Sequence, residues 1–164
     1  MNEAVMQDVP TGEVHDEGLR VVHLPTQLKS LDVIVPYALV AEITEVILPD
    51  DEDLARKQAA QIDWRGEKIG LISLETLAGE SLPTVGQRVR VAVLYAIGGD
   101  SALQYFAILL SGVPRSERVF AESFSKDSPA DSPLWRMSAE LGGRLVVVPD
   151  VIELENRIKA LMSK

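Results

Sequence analysis

Along residues 88–110 the sequence reads RVRVAVLYAIGGDSALQYFAILL, and Val89, Val91, Val93 and Tyr95 fall on one face. A period of two marks a strand in a sheet. GGDS separates this run from a second β-rich run, so the stretch predicts a β-hairpin with a short loop. LWRMSAELGGRLVVV, residues 134–148, predicts another, with Gly142-Gly143 supplying the positive φ angles of a tight turn. Shorter strand signals are LRVVHL (19–24), LDVIV (31–35) limited by Pro36, ITEVIL (43–48), and KIGLISL (68–74) interrupted by Gly70. Two segments depart from this period. DLARKQAAQI (53–62) follows the turn PDDED and predicts a short helix, with Asp51 or Asp53 near its N-terminus. After Pro149, Val151, Leu154, Ile158 and Leu161 line one face of a helix, with Asp150 as N-cap and Lys159 as a favourable late cation. ERVFAESFSKDSPADSP lies between the hairpins and ends in a polar, proline-containing loop. Many short strands separated by turn signals predict barrels or a sandwich. The strand–helix–strand alternation of a parallel α/β sheet is absent.

Composition narrows the picture. The chain has 164 residues, of which 46% are hydrophobic, enough for a real core. Residues 1–17 carry Glu3, Asp8, Glu13, Asp16 and Glu17 and no Lys or Arg, so they predict a flexible acidic tail ahead of a globular region. The net charge of −9 argues against nucleic acid and anionic lipid as partners. With no cysteine there is no disulfide scaffold, thiol nucleophile or cysteine-bound metal. The N-terminus lacks the basic and apolar segments of a signal peptide, and no apolar run reaches the ~18–20 residues that span a bilayer. The expectation is a soluble cytoplasmic protein without membrane insertion.

Candidate chemistry is sparse. His15 lies in the acidic tail and His23 in a strand, and neither has a second histidine at ligand spacing. Gly99-Asp100-Ser101 matches the nucleophile block of GDSL hydrolases, but no histidine follows His23 to serve as base. The reading as an ordinary turn is therefore stronger. Asp50–Asp53 lacks the glycine and terminal glutamate of an EF-hand loop and reads as a solvated cluster. No Gly-x-Gly-x-x-Gly or Walker-type lysine supports nucleotide binding. A binding module is the better default than an enzyme. A carboxylate or serine hydrolase using Ser101 and a generic β-barrel interaction domain remain as alternatives.

The order of segments around Arg65 is informative. VPYALVAEI (35–43) ends in Val-x-Glu-Ile, DWRG follows at 63–66, and IGLISL comes next. This order resembles the CheW-like domain of bacterial chemosensory adaptors, in which Val-x-Glu-Ile precedes an Asn-Leu-Arg-Gly signature and then a strand ending in apolar-x-Asp-Leu. The family's glutamate matches Glu42, its arginine and glycine match Arg65 and Gly66, and its closing leucine matches Leu74. The resemblance extends over about residues 19–161, including both hairpins and the final helix. The chain departs from the pattern at several positions: Asp63 stands for asparagine, Trp64 for leucine, Gly70 for the usual proline, Ser73 for aspartate and Ala60 for an upstream glycine. The branch that it resembles is that of the ChpC-type adaptors of type IV pilus chemosensory systems.

The resemblance implies a mainly β fold, with two small five-stranded, SH3-like β-barrels sharing a core and a short C-terminal helix. It implies a single domain over 18–164 made of two intertwined subdomains. It also implies a non-enzymatic scaffold, with no catalytic residue, cofactor or metal, recruited to receptor arrays at the inner membrane. The implied partners are the regulatory domain of a CheA-type histidine kinase and the cytoplasmic tip of a methyl-accepting chemoreceptor. Candidate protein-binding residues are Val40, Glu42, Trp64, Arg65 and Gly66. The Arg65 guanidinium can pin a carboxylate in a fixed fork, and Glu42 is the candidate partner. Such a pair either ties two loops together or shapes a binding groove. Trp64 is likewise either core or an interface anchor.

Overall fold

A computed structural model describes residues 17–48, 54, 56, 58–83, 86–128 and 132–162. The acidic stretch 1–16 and the cluster Asp50–Asp53 lie outside the described residues. Among the described residues eleven strands form two sheets. The first, sheet A, takes the order β8-β1-β2-β11-β10-β9, from β1 (Leu19–Leu24), β2 (Asp32–Pro36), β8 (Arg115–Val119), β9 (Phe124–Ser128), β10 (Trp135–Leu141) and β11 (Arg144–Pro149). Sheet B takes the order β3-β6-β7-β5-β4, from β3 (Val40–Ile47), β4 (Ala59–Trp64), β5 (Glu67–Ile72), β6 (Arg88–Tyr95) and β7 (Tyr105–Leu110). The helices include α1 (Leu74–Leu77) and the C-terminal α2 (Val151–Met162). The expected class therefore holds, with five strands in sheet B and six in sheet A.

The two sheets are intertwined along the chain. Sheet A takes two strands from the N-terminal part and four from the C-terminal part, joined by the parallel pairing of β11 with β2 (Val147↔Val33). Sheet B closes in the same manner through β5 and β7 (Leu71↔Ala107). Between them lies a shared apolar cluster. Val22, Leu24, Val33 and Val35 come from sheet A, Leu94, Phe106 and Ile108 from sheet B, and Leu154 and Ile158 from α2. Strands β6 and β7 are apolar on both faces because one face enters this shared cluster and the other fills sheet B's own core with Val91, Val93, Ala107 and Leu109. At Gly70 in β5, an added Cβ would come within 2.9 Å of Ile158 Cγ2, so glycine there permits the close approach of α2.

Several sequence expectations need correction. The helix expected over 53–62 is present at Leu54 and Arg56 but gives way to strand by Ala59, and in β4 Ala60, Ile62 and Trp64 point inward while Gln61 and Asp63 point out. KIGLISL ends earlier than expected, because Ser73 accepts a hydrogen bond from the Thr76 N–H (3.3 Å) and caps α1. The connection between β6 and β7 runs from Ala96 to Gln104, longer than a tight hairpin. The segment between the hairpins supplies both edge strands of sheet A, β8 and β9. The second hairpin is as expected, with Gly142 at φ 61° and Gly143 at φ 82°. So is α2, where Asp150 Oδ1 accepts from the Glu153 N–H at 3.0 Å.

Candidate functional site

The β4–β5 hairpin is closed by two residues, with Trp64 opposite Glu67. Arg65 has φ 49° and Gly66 has φ 78°. Positive φ at both central positions is the type I′ geometry whose twist suits paired strands. No atom lies within 4 Å of a Cβ built on Gly66, so the backbone angle alone calls for glycine. Arg65 occupies a left-handed position that disfavours a side chain, at a cost of ~1–2 kcal/mol. Its side chain makes two contacts from there. The guanidinium stacks over the Trp64 ring at 4.8 Å, and Nη2 lies 3.0 Å from Glu42 Oε1.

Glu42 has a second donor, which sequence reasoning did not foresee. Trp64 Nε1 donates to the same Oε1 at 3.0 Å. Strands β3 and β4 are the two ends of sheet B, so this carboxylate joins the sheet to itself across its edges. Trp64 is buried, whereas the side chains of Arg65 and Glu42 are 65% and 34% exposed. The two bonds therefore differ in weight. The exposed ion pair contributes ~0–1 kcal/mol. The charge-assisted bond from a buried indole contributes ~1.5–3 kcal/mol. Trp64 also packs on Tyr105 (centroids 4.8 Å apart), which packs on the half-exposed Tyr95 (5.6 Å). Of the five candidate residues, Glu42, Trp64, Arg65 and Gly66 come together. Val40 does not join them. A bulge between Val40 and Glu42 breaks the alternation, and Val40 packs against the shared core instead.

A second feature had no signal in the sequence motifs. At the mouth of sheet A an apolar groove of about 810 Å³ runs between the half-barrel and α2. Val21, Ile34, Val119 and Val148 form its floor, and Phe120 and Phe124 stand at one side. Leu19, Ile97, Met137 and Ile152 line it while remaining exposed. Leu39 and Ile97 reach it from the sheet B part of the chain. Arg136 and Asp150 are its only charged lining residues among those described.

The remaining candidates occupy separate places. Asp100 Oδ1 accepts from the Ala102 N–H at 2.9 Å, and Oδ2 lies 3.3 Å from Lys159 Nζ. That backbone hydrogen bond, then the Lys159 ammonium, holds the Asp100 carboxyl below its ordinary range. Ser101 is exposed in the same turn. His23, in sheet A, pairs its Nε2 with Glu117 Oε1 at 2.6 Å. Among the described residues no helix is long and apolar enough to cross a membrane.

No family model matches the chain, and no curated protein matches it by sequence. Its architecture does have a counterpart among solved structures. It is similar to the scaffolding protein TtCheW from Thermoanaerobacter tengcongensis, with a TM-score of 0.63 and 14% sequence identity, over 81% of this chain and 89% of that one. The fold is CheW-like. That fold agrees with the resemblance carried by Glu42, Arg65 and Gly66, and the arginine–glycine pair has a physical role: it forms the type I′ turn beside which Arg65 and Trp64 reach Glu42 of β3.

Proposed function

We propose that this protein is a non-enzymatic adaptor of chemosensory signalling, in which the regulatory domain of a CheA-type histidine kinase and the cytoplasmic tip of a chemoreceptor are its two partners. The observation that carries this reading is the apolar groove on a CheW-like fold. Its volume falls in the range of small-molecule sites, but such sites use several convergent polar groups. Here, among the described residues, only Arg136 and Asp150 line it with charge. That chemistry suits the apolar face of a receptor helix, held as a helix in a groove. The exposed face carrying Glu42, Arg65 and Gly66, with Trp64 beneath it, is the proposed contact for the kinase domain, which has the same kind of barrel. Coupling receptor to kinase then requires contacts that differ between two signalling states and no chemistry by the adaptor.

The same reading treats residues 18–164 as one folded unit with 1–17 as an appendage, and locates the protein in the cytoplasm at receptor arrays. The pilus-motility branch is its narrower form. Titration calorimetry of the purified chain with a CheA-type regulatory domain and with a receptor-tip hairpin tests it. Saturable micromolar binding to both is expected, and binding to neither sinks the reading.

A further inference from the structure

One buried acid is not used by the site described above. Glu155 lies in α2 and is 1% exposed. Its Oε2 accepts from the Ile97 N–H at 2.6 Å and its Oε1 from the Gly98 N–H at 3.0 Å. A buried carboxylate is costly unless its oxygens are hydrogen-bonded, and here two backbone donors converge on it. The two elements so joined both line the groove. Ile97 belongs to the loop between β6 and β7 of sheet B and lines the groove with its side chain. Val151 and Ile152, one turn before Glu155, line it from α2. The start of α2 is in turn fixed to sheet A, since the Asp150 N–H donates to the Leu134 carbonyl at 2.7 Å. The loop has little room to settle otherwise: a Cβ on Gly98 would lie 2.5 Å from Glu155 Oε1 and 3.6 Å from Ile152 Cδ1.

We propose that Glu155 is the positioning residue of the groove: its carboxylate holds the Ile97–Gly98 part of the lining in a fixed place against α2, and so sets the shape that a partner helix meets. The inference rests on the adaptor reading for the identity of the occupant, but the clamp itself is a property of this chain. Gly98 provides a variant that disturbs the clamp while keeping the acid, because its φ is not left-handed and the added methyl would press on Glu155 Oε1.

The experiment compares wild type, Glu155→Gln, Gly98→Ala, Glu155→Ala and the Glu155→Ala/Gly98→Ala double variant. Amide hydrogen exchange is read at Ile97 and Gly98, with Ala92 and Phe106 as core references, and affinity is read against the receptor-tip hairpin. In Glu155→Gln and Gly98→Ala, exchange at Ile97 and Gly98 should rise about tenfold or more, the loss of roughly one buried hydrogen bond, while the references hold. Affinity should fall about tenfold. The double variant should bind no more weakly than Glu155→Ala, because the alanine methyl no longer meets a carboxylate. Unchanged exchange at both amides overturns the clamp. Faster exchange with affinity within about twofold of wild type leaves Glu155 as a structural acid only and overturns its positioning role. A wild type that does not bind the hairpin overturns the adaptor reading instead, and the exchange measurements then decide the clamp alone.

Discussion

The two barrels are built from similar numbers of strands but are filled differently. Sheet B encloses its own core of Ile62, Leu71, Val91, Val93 and Leu109, and Trp64 and Glu42 close its edges with a hydrogen bond. Sheet A has a small core of Val21, Ile34, Val119 and Val146, and beyond it the interior opens into the groove. The cause lies in the strands. β6 and β7 are apolar on both faces, so they can supply two cores at once. RSERV, one edge strand of sheet A, buries only Val119. A filled barrel can stand as a support, whereas a half-filled one leaves apolar surface that a partner can cover. The division sets a filled interior in sheet B against an open one in sheet A.

The largest test of this division compares truncations in the two interiors. Leu109→Ala removes a side chain that is 2% exposed in sheet B and should cost ~2–5 kcal/mol in denaturant melts. Met137→Ala, at the groove and 38% exposed, should cost under ~1 kcal/mol. Equal losses would mean that the groove is as tightly supported as the core of sheet B, and the comparison would fail.

The edge closure of sheet B comes next. Glu42→Ala leaves the buried Trp64 N–H without its acceptor and should cost ~1–3 kcal/mol. Arg65→Ala removes only an exposed ion pair and a stacking contact, so its cost should be ~0–1 kcal/mol. Combining Glu42→Ala with Trp64→Phe should cost less than the sum of the two, because both remove one bond. The adaptor reading adds a binding outcome: Arg65→Ala should melt near wild type yet lose ~2 kcal/mol of affinity for the kinase domain. If Arg65→Ala destabilises more than Glu42→Ala, the assignment of weight to the indole bond is wrong.

The same contrast explains what could be read in the sequence. RVRVAVLY, YFAILL and the Gly142-Gly143 hairpin announced themselves through apolar alternation and turn residues. RSERV and FSKDS did not, because their sequences show no apolar period, and RSERV buries only Val119. In AAQIDW the alternation was present at Ala60, Ile62 and Trp64, but the alanines and Gln61 favour a helix in isolation, and pairing with β5 overrides that preference. Among the site residues, the arginine–glycine pair was legible as a motif and Glu42 as its partner. The indole donor was not, since nothing in the spacing says that β3 and β4 meet. Glu155 had a signal that went unused. It lies four residues after Val151 and next to Leu154, on the apolar stripe of α2, where an acid must find buried donors.

A smaller effect should be the same in both barrels. Gly66 and Gly142 have φ of 78° and 61°, and a Cβ at either would meet nothing within 4 Å. Valine at either position therefore adds a backbone penalty without a clash. Gly66→Val and Gly142→Val should each cost ~1–2 kcal/mol, read as matched shifts in denaturant midpoint. A much larger loss at Gly66 would show that the turn also carries the Glu42 closure, which would sharpen the difference between the barrels.

The smallest expected effect concerns the outer link between α2 and the loop of sheet B. Asp100 and Lys159 sit 3.3 Å apart at the surface, beside the buried bond from Glu155 to the same loop. The backbone N–H of Ala102, and after it Lys159, hold the Asp100 carboxyl below its ordinary range. A carboxylate with a depressed folded pKa stabilises the fold above its unfolded pKa, and that contribution is lost as pH falls through the folded value. Asp100→Asn should therefore lower the melting temperature slightly at neutral pH and not at all in strong acid, where the wild-type carboxyl is protonated. Thermal melts of both proteins from neutral pH into strong acid check this, and salt should shrink the part due to Lys159, because the pair is exposed. The Ala102 bond is local to the turn, so asparagine, which keeps an acceptor oxygen, should preserve much of it. A gap between the two proteins that widens as pH falls would reverse the sign and contradict the depressed carboxyl. A gap that stays constant into acid would instead assign the effect to turn geometry, leaving Glu155 as the main polar tie between α2 and this loop.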